Sequence, residues 1–111
     1  PDTLASINNL AGLYEAMGDH SAAQPLYEQA LEGRRAALGE AHPRTLTSIN
    51  NLAFLYEAKG DHAAAEPLYK QALEGSRAVL GEAHPDTLHS ITCLGALYKD
   101  KGDYAAAEPL L

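Results

Sequence analysis

The chain has 111 residues, 46% of them hydrophobic, and a formal net charge of −7, which is enough material for one domain with a buried core. The chain contains eight Lys and Arg but fifteen Asp and Glu. This excess of acidic residues disfavours nucleic acid and anionic membranes as partners, because both require a basic surface. No apolar run approaches the roughly 18 residues of a membrane span. The lone Cys93 suits a reducing compartment, so we expect a cytoplasmic location.

A recurring Pro-x-Thr-Leu pattern reveals an internal repeat. It begins at Pro1, Pro43 and Pro85, a spacing of 42 residues, and the first two units are identical at 33 of 42 positions. Such uniformity predicts one supersecondary unit stacked several times into a continuous domain. The predicted units are residues 1–42, 43–84 and a truncated 85–111. Because the chain lacks an initial Met and stops partway through a unit, we interpret it as an excerpt of a longer repeat protein.

Each unit is predicted to begin with a helix, here named helix A. Pro43 suits the first position of a helix, and the negative charges of Asp2 and Asp86 suit the helix dipole in the first turn. Apolar residues follow at helical spacing along one face. They are Leu4, Ile7, Leu10, Ala11 and Tyr14, copied at Leu46, Ile49, Leu52, Ala53 and Tyr56.

A Gly-Asp pair separates helix A from the second helix of the unit, helix B. The Gly suits the left-handed backbone that ends a helix, and the Asp can cap the next one. The pairs are Gly18-Asp19, Gly60-Asp61 and Gly102-Asp103, and the apolar face of helix B is Ala23, Leu26, Tyr27, Ala30 and Leu31. Gly39 and Gly81 end helix B. No stretch alternates with a strand period, so the predicted class is all-α.

Two recurring features break the rules for a regular helix. Pro25, Pro67 and Pro109 fall about six residues into helix B, where an interior Pro is expected to bend the helix. Gly33 and Gly75 also lie inside helix B, where the missing side chain lets a neighbouring helix approach closely.

These spaced residues resemble a known repeat family. Asn9-Leu10-Ala11-x-x-Tyr14, Gly18-Asp19, Ala23, Tyr27 and Ala30 resemble the tetratricopeptide signature, whose usual unit has about 34 residues. The 42-residue unit, with His-Pro at its boundary and Asn-Asn-Leu-Ala in helix A, is similar to the repeats of kinesin light chains and many bacterial proteins. The resemblance implies an α-α superhelix with helix A on its concave side, acting as a protein-binding scaffold without catalysis or cofactor.

Under this resemblance, the helix A residues that face away from the packing stripe line a groove. They are Ala5, Asn8, Asn9, Gly12 and Glu15; then Thr47, Asn50, Asn51, Phe54 and Glu57; and finally His89, Thr92, Cys93, Ala96 and Lys99. Asn residues at such positions hold peptide backbone in the related families, and an amide both donates and accepts hydrogen bonds. Asn9 and Asn51 are the leading candidates for this role. For Asn8 and Asn50, the alternative is a bond across adjacent helices.

The charges of the predicted groove favour one class of ligand. Glu15 and Glu57 favour a neutral or basic segment. Some tetratricopeptide domains grip a terminal carboxylate with paired cations, but the corresponding positions here carry none, so that ligand is not expected. Those positions are Ala5, Asn9, Ala16, Thr47, Asn51 and Ala58.

Neither the histidines nor the cysteine predict a chemical site. His20, His42, His62 and His84 recur with the unit and never at the i, i+4 spacing of a helical metal pair, so no metal is expected. We interpret His42 and His84 as caps or loop bonds. Cys93 lies four residues after His89, but without a third orienting group it is interpreted as a groove or buried residue.

Two functions remain open from the sequence. The first is recognition of an extended peptide or partner segment in the groove. The second is a structural array that stacks head to tail, because both ends of the chain carry unpartnered apolar faces. Peptide selection by a monomer supports the first, and a mass that rises with concentration supports the second.

Overall fold

The computed structural model describes residues 2–110 and the side chains of residues 3–110. Within this range every element is helical, which confirms the predicted all-α class. The helices are α1 (Asp2–Ala16), α2 (His20–Leu38), α3 (Pro43–Ala58), α4 (His62–Leu80), α5 (Pro85–Asp100) and α6 (Tyr104–Ala107). The prediction for Pro1 lies outside the described residues, as does that for the Asp2 side chain. No helix in the described part is long and apolar enough to cross a bilayer.

The turn between helix A and helix B is built as the Gly-Asp pairs predict. Gly18, Gly60 and Gly102 have φ of 80°, 82° and 81°, a backbone conformation that residues with a Cβ rarely adopt. Each following Asp then caps the next helix, as when Asp61 Oδ1 accepts from the Ala64 N–H at 3.2 Å. Asp19 and Asp103 cap the following helices in the same way, each accepting at 3.1 Å.

The turn between units uses histidine as the cap. His42 Nδ1 accepts from the Arg44 N–H at 3.1 Å, and His84 Nδ1 accepts from the Asp86 N–H at the same distance. Pro43 occupies the first turn of α3, where its missing N–H leaves no bond unmade. The interpretation of these two histidines as caps is therefore confirmed.

Small residues set how closely the helices of a pair approach. A Cβ built on Gly75 would lie 2.5 Å from Leu46 Cδ2, and one on Gly33 would lie 2.5 Å from Leu4 Cδ2. These distances are shorter than van der Waals contact, so helix A rests directly on the backbone of helix B. The predicted close approach at Gly33 and Gly75 is confirmed.

The core runs along the stack in two continuous clusters. The first joins α1, α2 and α3 around Tyr27 and Ile49, and the second joins α3, α4 and α5 around Tyr69 and Leu97. One predicted core residue differs, because Leu10 is 42% exposed. Its copies at Leu52 and Leu94 pack against the helix B of the preceding unit, and no such helix precedes Leu10 among the described residues.

The prolines of helix B do not interrupt it. Helices α2 and α4 continue through Pro25 and Pro67, and the bend expected there stays a prediction. Pro109 differs, because α6 ends at Ala107 and Pro109 lies in the turn that follows. A proline cannot donate to the preceding turn, so α2 and α4 each continue without the backbone hydrogen bond of that residue.

Candidate functional site

A cavity of about 300 Å³ lies between α3 and α5. It is lined by Asn50, Asn51 and Phe54 of α3, by His89 and Cys93 of α5, and by Tyr69 of α4. Phe54 is 54% exposed, so its aromatic ring is accessible to solvent beside the cavity. Helix A residues of successive units therefore form the walls, and a helix B side chain contributes to the lining.

The groove asparagines connect neighbouring units. Asn51 Nδ2 donates to Asn8 Oδ1 at 3.3 Å, and Asn50 Nδ2 donates to Ser90 Oγ at 3.2 Å. Asn8 and Asn50 thus do bond across adjacent helices. Asn9 is exposed, and Asn50 Oδ1 is buried without a partner among the described residues. Each amide keeps donors or acceptors that these bonds do not use.

The predicted groove glutamates are half-buried and lie near tyrosines of helix B. The Tyr27 hydroxyl donates to Glu15 Oε2 at 2.6 Å, while Glu15 Oε1 is buried without a partner in the described residues. Burial, and then Glu15, raise the pKa of Tyr27. Tyr69 occupies the equivalent position, and burial, followed by the charge of Glu57, raises its pKa too. From the sequence, Tyr27 is expected only on the apolar packing face of helix B.

Burial also raises the pKa of the Glu57 carboxyl above its usual range. A bond with Tyr69 opposes this rise, and the charge of Asp100 adds to it. The negative charge of Glu57 is thus costly in the free protein, and a cationic ligand group nearby would relieve that cost.

The remaining predicted groove residues lie on the exposed face of their helices. The Thr47 hydroxyl donates to the Pro43 carbonyl at 3.0 Å, and the Thr92 hydroxyl donates to the Leu88 carbonyl at the same distance. Both hydroxyls therefore have a partner within their own helix. Lys99 is exposed near the end of α5.

The contacts between the first and second units differ from those between the second and third, although the first two units have closely similar sequences. We call the packing of α2 on α3 the first junction and that of α4 on α5 the second junction. At the first, Arg34 Nη1 donates to the Arg44 carbonyl at 3.0 Å and to Ser48 Oγ at 2.9 Å. At the second, Ser76 replaces Arg34, and a cavity of about 160 Å³ is found there. Neither Arg34 nor Ser76 was singled out from the sequence, although they mark one of only nine differences between the first two units.

Cys93 and His89 share a helix face, as their spacing indicates. The Cys93 sulfur lies 3.5 Å from His89 Nε2. Burial, and then the charge of Glu57, raise the pKa of the Cys93 thiol, which disfavours the thiolate that a nucleophile requires. Among residues 3–110, no three His, Cys, Asp or Glu side chains come together as a metal site would need.

The sequence and the structure are similar to those of known repeat proteins. The family model described as "Tetratricopeptide repeat" matches residues 2–78 and 48–111. BtubC (BKLC) from P. vanneervenii has a TM-score of 0.89 and 28% identity, covering 96% of this chain and 42% of that one. A kinesin light chain-like protein of Podosopora anserina with nearly identical TPR-like repeats has a TM-score of 0.88 and 30% identity, covering 97% and 51%. The chain thus spans about half the length of these proteins. No curated protein matches the sequence.

Proposed function

Since the chain belongs to the tetratricopeptide repeat family, whose members serve as scaffolds for protein interactions, we propose that it binds an extended peptide segment in the groove lined by α1, α3 and α5. The observation that carries this proposal is the cavity between α3 and α5. It combines amide groups, an exposed aromatic ring and a partly buried wall. A cytoplasmic location stays a prediction based on the single Cys93.

The chemistry of the groove suits peptide backbone. An extended strand presents alternating N–H and C=O groups, and Asn9 and Asn51 can both donate to and accept from such groups. Asn9 is exposed and needs no rearrangement to do so, whereas Asn51 shares its amide with Asn8. Phe54 supplies apolar area beside these amides. Binding through backbone and one apolar contact would tolerate many sequences.

The charge of the site favours a neutral or basic segment. The whole chain carries −7, and Glu15 and Glu57 lie half-buried along the groove face. An acidic segment would meet repulsion that increases in a partly desolvated site. We therefore expect acidic peptides to be the weakest binders.

A peptide library tests this proposal directly. Binding of library peptides to the immobilised chain is measured first, and the affinities of selected peptides are then determined by fluorescence polarisation. The variant Asn9→Ala should weaken binding about tenfold, or roughly 1.4 kcal/mol, because it removes one amide contact. The matched control is Gln29→Ala, which alters an exposed amide on helix B. Equal affinities for both variants and the parent chain would contradict the proposed groove.

The alternative function is head-to-tail stacking of repeats. Leu10 and Leu13 are exposed on α1, while their copies Leu52 and Leu55 are buried at the first junction. The exposed face of α1 is thus equivalent to the face of α3 that packs against α2, the helix B of the preceding unit. Stacking predicts a mass, measured by light scattering, that rises with concentration and stays monomeric in the variant Leu13→Lys. A constant mass in both proteins would exclude it.

A further inference from the structure

The two junctions of the stack carry different side chains at equivalent positions, with Arg34 and Arg44 at the first and Ser76 and Asp86 at the second. Arg34 lies at the first junction and is only 8% exposed. Ser76, at the same position in the next unit, is 1% exposed and lines the cavity of about 160 Å³. Such a volume admits several waters or one small organic ion. The cavity therefore borders the position that corresponds to Arg34 of the first unit.

The acceptors that hold the Arg34 guanidinium are repeated at the second junction. Arg34 Nη1 donates to the Arg44 carbonyl and to Ser48 Oγ, and the counterparts of these groups are the Asp86 carbonyl and Ser90 Oγ. Ser90 Oγ receives a bond from Asn50 but has a second lone pair. The chain thus contains both a filled guanidinium site and an equivalent site without its guanidinium.

The charged residues beside the two sites differ in sign. Burial, and then the charge of Arg44, lower the pKa of the Arg34 guanidinium. At the second junction Asp86 takes the place of Arg44. An acidic residue therefore lines the cavity there, whereas the basic Arg44 lies at the equivalent position of the first junction. The neighbouring Arg77 is paired with Glu82 at 2.9 Å and does not line the cavity.

We propose that the cavity at the second junction binds the guanidinium group of an arginine side chain carried by the ligand. The assignment rests on the proposed peptide-binding function. It also agrees with the position of the cavity beside the proposed groove. Thr47, Asn51 and His89 of the groove line the same cavity as Ser76. An arginine of a peptide in the groove would enter past these residues, and its guanidinium would meet Asp86, which lines the cavity.

The test uses a probe smaller than any peptide. Ethylguanidinium is titrated into the isotope-labelled chain while amide resonances are followed by NMR. Saturable shifts are expected at Asn50, Ser76, Asp86 and His89, with a dissociation constant on the order of millimolar for so small a ligand. Ethylurea, which has the same shape without the charge, should give no saturable shift. Shifts that fail to saturate, or that ethylurea reproduces, would overturn the proposal.

Three variants connect the shifts to the cavity. Ser76→Arg restores the side chain of the first unit and should abolish probe binding. Asp86→Asn should weaken it about tenfold, and it serves as the decisive variant if Ser76→Arg does not fold by circular dichroism. Arg34→Ser combined with Arg44→Asp should create a second site and double the stoichiometry. Probe binding that survives both Ser76→Arg and Asp86→Asn would overturn the assignment.

Peptides separate this inference from the proposed function. Replacing an arginine of a selected peptide by citrulline should lower its affinity for the parent chain but not for Ser76→Arg. Equal affinities of the arginine and citrulline peptides would end the arginine assignment while leaving groove binding intact. Ethylguanidinium binding without any peptide binding would reject the proposed function while supporting the cation site.

Discussion

Arg34 Nη1 donates to Ser48 Oγ across 2.9 Å. This bond joins the first unit to the second, and these two units are identical at 33 of 42 positions. The copy of this serine, Ser90, instead receives a bond from Asn50 at 3.2 Å. The junctions thus use the same acceptor with different donors. Substitutions at equivalent positions, Arg34 to Ser76 and Arg44 to Asp86, thus give the two junctions different side-chain contacts.

Removing the buried charge of Arg34 should not destabilise the chain if its volume is kept. No carboxylate among the described side chains pairs with Arg34, and its burial is unfavourable for the charge. We expect Arg34→Met to leave the free energy of unfolding in urea unchanged or to raise it by about 1 kcal/mol. Arg34→Ser should lower it by about 1 kcal/mol because it opens a cavity. A methionine variant less stable than the serine variant would contradict this explanation.

A methyl group on Gly75 should disturb the contact between α3 and α4. Its Cβ would lie 2.5 Å from Leu46 Cδ2, inside a packed core, so Gly75→Ala should lower the free energy of unfolding by about 1 kcal/mol after the gain in helix propensity. The control is Gly12→Ala, whose Cβ would meet only the Tyr27 hydroxyl at 3.7 Å. That variant should be more stable by up to about 1 kcal/mol. Thermal unfolding that shifts both variants in one direction would refute the account.

Glu57→Gln should stabilise the chain near pH 7 but not near pH 4. The pKa of Glu57 is raised in the folded state, so the folded chain binds more protons than the unfolded chain between the two pKa values. The contribution of Glu57 to the free energy of unfolding therefore falls as the pH rises between these two pKa values. The uncharged glutamine of Glu57→Gln does not titrate and avoids this loss. Urea unfolding at both pH values, with the exposed Glu74→Gln as control, measures the effect. An equal effect of Glu57→Gln at both pH values would contradict the assignment.

The cap of α4 should contribute measurably to stability. Asp61 Oδ1 accepts the Ala64 N–H, and Asp61→Ala leaves that donor without its partner. We expect a loss of about 1 kcal/mol in the free energy of unfolding. Asp61→Asn retains an acceptor and should lose less. Equal stability of Asp61→Ala and the parent chain would show that water replaces the cap without cost.

Much of the fold could be predicted because each unit carries strong local signals. The Gly18-Asp19 turn, the histidine caps and the close contact at Gly33 all follow from backbone rules that act within a few residues. Leu10 was misjudged because its burial depends on a preceding helix B, which periodicity cannot supply. Pro109 differs from the expectation because it lies in the turn after α6, which ends at Ala107.

The candidate site was harder to predict than the fold. Helical spacing placed Asn50, Asn51 and Phe54 on one face, and the structure brings them to one cavity with His89. Helical spacing did not indicate that Tyr27 of α2 contacts Glu15 of α1, since that contact depends on the angle between the two helices. The difference between Arg34 and Ser76 was visible in the sequence, but its meaning requires knowing that the position faces a junction.

The most direct test of the central claim is to map a bound peptide on the chain. A library-selected peptide is titrated into the isotope-labelled chain, and perturbed amide resonances are assigned by NMR. We predict that the largest perturbations lie on α3 and α5, around Asn51, Phe54 and His89, with little change on the exposed face of α4. Perturbations concentrated at exposed residues of α4, such as Glu74, would contradict the claim that helix A forms the binding surface.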